Sequence, residues 1–535
     1  MPAFAGMEAQ LEFEAQLAKA GVAMARRDGA AVEAAVAQAL AMRPHDARAL
    51  ALMGRHRAMQ GRHADAAAAF EAALQADPAQ TSVALALGLI LKVLGRGTDA
   101  VRWLAEAARL APGDADALAN LGAARMAQGD LAGALDAFER AEVSAPAVAA
   151  MRGEALQQLG RDDEAVAAFR RAVAAEPMDL TAHHALSQLL HHRRSPNYVA
   201  SFDEAAARVA NPTPLRLAKA VTLLTAEDWA AAEVAYAALP PRPETLYGLA
   251  TARAQLGRAA EAVPLFEHAL RSWPDAARVR YGLATALLRA GEPARAEAEA
   301  ERLLARDPAD QTALALLGLA WRLQGDPRAE PLHGFDTLVR TYALEPPEGF
   351  ADMAAFNTAL NAALDPLHRD GREFMDQSLK GGTQTHDDLF SSGHPLVERL
   401  KRRIEETVAR YLAEIGTDAT HPLLRRNAAR FGFAGAWSSR LHDRGFHARH
   451  IHPGGWISSA YYVALPDVVA DARRREGWLE FGAPPFALPL DAAVGREVKP
   501  EPGTLALFPS YLWHGTTPFA SHEARTTVAF DVIPA

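Results

Sequence analysis

The chain contains no cysteine among its 535 residues. Disulfides and thiolate zinc sites are therefore excluded, and a cytoplasmic setting is expected. Aromatic residues make up only 7%, so a large core must pack mostly through small aliphatic side chains. Positive charge is also short: 56 Lys and Arg stand against 65 Asp and Glu, a net charge of −9. Binders of nucleic acid or anionic membranes usually carry a basic face, so neither partner is expected. No uncharged apolar run reaches the roughly 18 residues of a membrane span. The opening MPAFAGMEAQLEFEAQ has no basic stretch followed by an apolar one, so no secretory leader is expected.

What is present is periodic. Pro44, Pro78, Pro112 and Pro146 fall 34 residues apart. Gly54, Gly88 and Gly122 keep the same step, as do Gly61, Gly95 and Gly129, and Ala66, Ala100 and Ala134. Phe70, Leu104 and Phe138 hold one large apolar slot. A second regular set has Pro240, Pro274 and Pro308 with Gly257, Gly291 and Gly325. Such a period reads as a helix–turn–helix unit that must stack on its neighbours to bury a face. Small residues let two helices touch, the Gly61-type glycine ends the first helix, and the proline ends the second. The pattern resembles the tetratricopeptide repeat. It spans residues 1–330 as an all-α array, with degenerate units at 178–239. After Gly325 the second helix of the next unit is replaced by DPRAEPLHGFDTL, and the array ends there. Such arrays imply a bound protein or peptide.

Composition changes after a transition segment at 331–350. Eleven of the 19 histidines lie beyond residue 330. Strand-like runs appear for the first time in WISSAYYVAL, GTLALF and RTTVAFDVI. Two helices, near 350–367 and 395–415, the second of them amphipathic, are expected to support a β-domain over 351–535. His450 and His452 are two apart, so in a strand both imidazoles share one face. His514 follows another strand, and Arg525 stands eleven residues beyond it. Histidines grouped on one face make a candidate metal site. His394, His421, His442 and His522 read as ordinary surface or core histidines.

The order H-x-H…H…R-x-T resembles the H-x-D…H…R signature of 2-oxoglutarate oxygenases. Three longer stretches, Asp376–Thr385, Gly445–Pro466 and Gly503–Pro518, resemble a bacterial family of iron(II)/2-oxoglutarate oxygenases that carry tetratricopeptide repeats. The resemblance implies a double-stranded β-helix of the jelly-roll or cupin-like kind, joined to the repeat array in an α + β multidomain chain. It implies Fe(II) and 2-oxoglutarate as cofactors and dioxygen as co-substrate. It places Arg525 on the distal carboxylate of the oxo acid, with Thr527 adding a hydroxyl. Tyr461 and Tyr462 alternate faces in a strand, so one of them is expected to point inward near the oxo acid, with Tyr461 the candidate. His447 and Gln384 are candidates for supporting or substrate-facing roles. No catalytic residue is expected beyond the metal ligands.

His452 occupies the place of the usual carboxylate. Three ligand sets are open. His450, His452 and His514 can form an all-histidine face; His452 and His514 can bind with water or another carboxylate; or the register can shift to include His447. The first is preferred because H-x-H reproduces H-x-D geometry. It leaves the site one charge unit more positive than the usual set. Three functions are therefore weighed: a hydroxylase acting on a protein or peptide, an interaction scaffold with a degenerate barrel, and a cupin-like three-histidine enzyme that uses no oxo acid.

Overall fold

Small residues at a fixed step dictate the architecture of the N-terminal part. The structure, a computed structural model, describes residues 2–143, 145, 148–368, 378–385, 388–428, 430–488 and 494–535. Pro146, Asp376 and Gln377 lie outside these. Helices Ala47–Met59 and His63–Ala76 make one pair. Thr81–Val93 with Gly97–Leu110, and Ala115–Ala127 with Leu131–Glu142, repeat it. A β-carbon at Gly54 would lie 2.5 Å from the Phe70 ring, and one at Gly122 would lie 2.5 Å from Phe138. The large residue of the second helix thus occupies the space that glycine leaves on the first. Gly61, Gly95 and Gly129 close the first helices at φ of 74°, 72° and 78°, where a β-carbon is penalised. The stretch 178–239 remains helical, but its second helices shrink to seven residues, Ala200–Ala206, and nine, Trp229–Ala237.

The chain forms two compact units, Met1–Thr222 and Leu223–Ala535. The first is a stack of helical repeats. The second begins with repeats through helix Gln311–Gln324, followed by the short helix Ala329–His333. Leu314 and Ala315 of Gln311–Gln324 share one core with Phe356, Tyr411, Trp456 and Phe530. Within this unit the last repeat therefore packs directly on the β-domain.

That domain has nine described strands. They are β1 Arg340–Ala343, β2 Leu379–Gln384, β3 Phe431–His447, β4 Ile457–Ala464, β5 Leu479–Phe481, β6 Arg496–Val498, β7 Thr504–Pro509, β8 His514–Thr516 and β9 Arg525–Pro534. Six form an antiparallel sheet in the order β1-β7-β4-β9-β3-β2, and three form a second in the order β6-β5-β8. The three runs read as strands are β4, β7 and β9. Helix Pro395–Ile415 buries Val397, Leu400, Ile404, Val408 and Tyr411 along one stripe. The Tyr411 hydroxyl donates to the Leu338 carbonyl at 2.8 Å. One expectation changes here: His450 and His452 are not in a regular strand. They lie in the connection from β3 to β4, where His450 makes a single antiparallel bridge to His514.

Candidate metal centre

Backbone pairing builds the site. The His450 N–H donates to the His514 carbonyl at 2.8 Å, and the His514 N–H returns the bond at 3.0 Å. The His452 N–H donates to the Ser510 carbonyl at 3.0 Å. Segment 450–452 is thus zipped to segment 510–514, and the alternation expected of a strand is kept without one. Each of the three histidines offers a ring nitrogen, and these atoms lie within 4.8 Å of one another. The Nε2 atoms of His450 and His452 are 3.0 Å apart.

The other face of each ring decides its tautomer. His450 Nδ1 sits 2.7 Å from the Ala448 carbonyl. His514 Nδ1 sits 2.9 Å from the Leu512 carbonyl. His452 Nδ1 sits 2.7 and 2.8 Å from the two carboxylate oxygens of Asp531. Every Nδ1 faces an acceptor and so carries the proton. Every Nε2 is thereby left as the nitrogen turned toward the shared centre. Burial holds His514 well below the ordinary histidine pKa, reinforced by His450 and His452, and brings His450 down to about 4. The donor set therefore fits a divalent metal of the kind imidazole prefers.

These histidines line a cavity of about 170 Å³. His447, Gln384, Arg525 and Thr527 also line it, so the structure brings together all but one of the residues singled out in the sequence. The exception is Tyr461. Its hydroxyl donates to Asn357 Oδ1 at 2.6 Å, away from the cavity. Its neighbour Tyr462 lies under Arg525, whose guanidinium carbon is 5.4 Å from the ring centroid. Both faces of β4 are buried, so alternation alone does not say which tyrosine faces the cavity. His447 is held well below the ordinary histidine range by burial, then by His450 and Arg525. Its own backbone N–H donates to Thr516 Oγ1 at 2.8 Å.

Arg525 is 2% exposed and makes no ion pair among the described residues. Its Nε and the Tyr462 hydroxyl are both buried without a hydrogen-bond partner. Burial lowers its pKa. A guanidinium left this way is costly unless a ligand anion completes it, and the missing partner fits a carboxylate.

Asp531, Ser458 and Trp437 were not read from the sequence. Asp531 falls on the face of β9 shared by Arg525 and Thr527, two strand steps beyond Thr527, so the period of two could have found it. Trp437 packs on His452 at 5.6 Å between ring centroids.

Residues 435–531 match the family described as "Putative 2OG-Fe(II) oxygenase". Tetratricopeptide repeat models match residues 17–81, 57–124, 146–177 and 253–320. No curated protein matches the chain. Among solved structures, the chain is similar to one described as MamA protein, at 22% identity over 30% of this chain and 91% of that one, with a TM-score of 0.29. It is also similar to pilF of Pseudomonas aeruginosa, at 17% identity over 38% and 91%, with a TM-score of 0.32. A tetratricopeptide repeat protein from Parabacteroides merdae gives 17% identity over 51% and 98%, with a TM-score of 0.28.

Proposed function

We propose that this chain, which joins tetratricopeptide repeats to a 2OG-Fe(II) oxygenase domain, is an Fe(II)- and 2-oxoglutarate-dependent hydroxylase of a protein or peptide. The observation that carries the reading is the direction of the imidazoles: three Nδ1 atoms satisfied, three Nε2 atoms converging, in one cavity with a buried unpaired arginine. His450, His452 and His514 would hold the iron through Nε2. When bound, Fe(II) with 2-oxoglutarate and dioxygen supplies hydroxylation of an unactivated C–H bond, with succinate and carbon dioxide as co-products.

The chain's own residues do the rest. Arg525 binds the distal carboxylate of the oxo acid through its planar fork. Thr527, one strand step along the same face of β9, adds a hydroxyl. His447 and Gln384 stand on the cavity wall as groups that orient substrate. Trp437, Leu479 and Phe508 set apolar surface beside the polar groups of the lining. Stacked repeats present an extended groove, which suits recruitment of a polypeptide. A three-histidine enzyme that uses no oxo acid would have no need of Arg525.

The test is anaerobic reconstitution of the full chain with Fe(II), followed by 2-oxoglutarate. Metal-to-ligand charge-transfer absorption and uncoupled succinate formation are expected. Failure of the wild-type chain to bind iron would sink the enzyme reading and leave the scaffold. Iron binding without 2-oxoglutarate binding would favour the oxo-acid-independent enzyme.

A further inference from the structure

The three histidines differ in what stands behind them. His450 and His514 lean on backbone carbonyls, whereas His452 leans on a carboxylate. This carboxylate belongs to a closed network. Asp531 Oδ1 accepts from Ser458 Oγ at 2.6 Å, and Ser458 Oγ lies 2.8 Å from Ser510 Oγ. The Ser510 carbonyl in turn accepts the His452 N–H at 3.0 Å. Both serines are fully buried. Ser458 and Asp531 are direct partners in the β4–β9 register. A β-carbon at Gly455 would come within 2.4 Å of Ser510 Oγ and 3.2 Å of Asp531 Cγ, so the backbone of the histidine loop is closed tightly over the network.

From this geometry we infer that Asp531 is the positioning residue of the metal centre, acting through His452 Nδ1 to supply the negative charge that the H-x-H sequence lacks. The inference rests on the metal reading of the three histidines. The usual carboxylate ligand is replaced by a histidine, and a carboxylate reappears one bond network further out. Counted with its first partners, the site regains the charge of two imidazoles and a carboxylate. A carboxylate on Nδ1 fixes the tautomer, orients the ring and makes Nε2 a stronger donor, and losing such a partner typically lowers metal affinity by about 10–100-fold. The two serines fix the carboxylate in turn, and the buried setting makes its field effective.

Co(II) titration of the full chain, read by its visible d–d bands, tests this without turnover. Asp531→Asn keeps the shape and removes the charge, and is expected to weaken Co(II) by about tenfold. Asp531→Ala is expected to approach the 100-fold end of that range. In a His452→Ala background, Asp531→Asn is expected to have no further effect. Thermal melting of the metal-free variants separates a folding defect from a loss of ligand strength, and Asp531→Asn carries the test if the alanine variant does not fold. Wild-type chain that fails to bind Co(II) overturns the metal reading and this inference together. Wild-type binding with Asp531→Asn unchanged overturns this inference alone. An equal loss from Asp531→Asn in the His452→Ala background also overturns it, because Asp531 would then act through the fold and not through His452.

Discussion

His450 and His514 hold each other in place through their own backbones, with reciprocal N–H···O bonds of 2.8 and 3.0 Å. Two imidazoles 64 positions apart in sequence are thereby fixed with centroids 4.4 Å apart. The ligand spacing is therefore a property of the polypeptide. Chelation of metal is expected to leave the far-UV circular dichroism of the full chain unchanged. Adding back Co(II) at about 100 times its dissociation constant should stabilise the fold by roughly 2.7 kcal/mol, seen as a rise in melting temperature. Loss of secondary structure on chelation would contradict a preformed site.

His514→Ala removes the most enclosed of the three lone-pair donors. It is expected to abolish iron retention after gel filtration, measured by metal analysis of the eluted protein. His452→Ala should weaken retention and leave residual binding that an equilibrium titration still measures. Full metal affinity in His452→Ala would instead point to His447 or water in the ligand set.

Arg525 should show the opposite trade between stability and binding. Its guanidinium is buried, and its Nε has no partner, so the metal-free fold carries a desolvation penalty for it. Arg525→Met removes that penalty at similar volume. The variant is expected to be more stable to urea by about 1–3 kcal/mol, to keep iron, and to lose 2-oxoglutarate affinity by about 100-fold or more. Urea melts and the charge-transfer titration read the two effects separately. A destabilised Arg525→Met with unchanged 2-oxoglutarate binding would make Arg525 a structural residue.

The repeats were legible because the 34-residue step ties small, large and turn residues to one register. Strands β4, β7 and β9 were legible because β-branched and aromatic runs end at Pro or Gly. The long strand β3 was not, because FGFAGAWSSRLHDRGFH carries small and charged residues with no clean alternation, and its pairing with β2 and β9 supplies the order. The histidine pair was legible as sharing one face, but its backbone is held by a single bridge and not by a ladder. The carboxylate behind His452 is 79 positions away. The period of two along β9 puts Asp531 on the face of Arg525 and Thr527, but its pairing with His452 comes from the β4–β9 register. Tyr461 shows the limit of alternation in a strand buried on both faces.

A close contact within the repeats predicts a packing defect. The Phe138 ring lies 2.5 Å from where a β-carbon at Gly122 would stand, and Phe138 is fully buried. Alanine at this position would gain up to about 1 kcal/mol of helix propensity. Valine forfeits most of that gain and adds two methyl groups against a ring that has nowhere to go. Gly122→Val is expected to destabilise the Met1–Thr222 unit by about 2–3 kcal/mol, visible as a lower urea midpoint. Equal stability of Gly122→Val and wild type would show that the ring can move aside.

Acid should weaken the Leu223–Ala535 unit before its carboxylates titrate. His333 is 6% exposed, and its Nδ1 is 2.6 Å from the Ala329 carbonyl. His368 bridges Thr383 Oγ1 at 2.8 Å and Ser438 Oγ at 2.9 Å. Burial brings both down to about 4, helped at His333 by Arg322 and at His368 by Arg440. Unfolded, each titrates near the ordinary histidine value of about 6.5. Between these values the unfolded chain binds more protons than the folded one. Stability therefore falls as pH drops from about 6.5 toward 4 and levels off below. Urea midpoints of the metal-free full chain at pH 7 and pH 5 should differ by the equivalent of a few kcal/mol. In the double variant His333→Gln, His368→Gln this difference should shrink, because glutamine keeps hydrogen-bonding capacity and does not titrate. Equal pH dependence in wild type and double variant would assign the acid sensitivity to other groups.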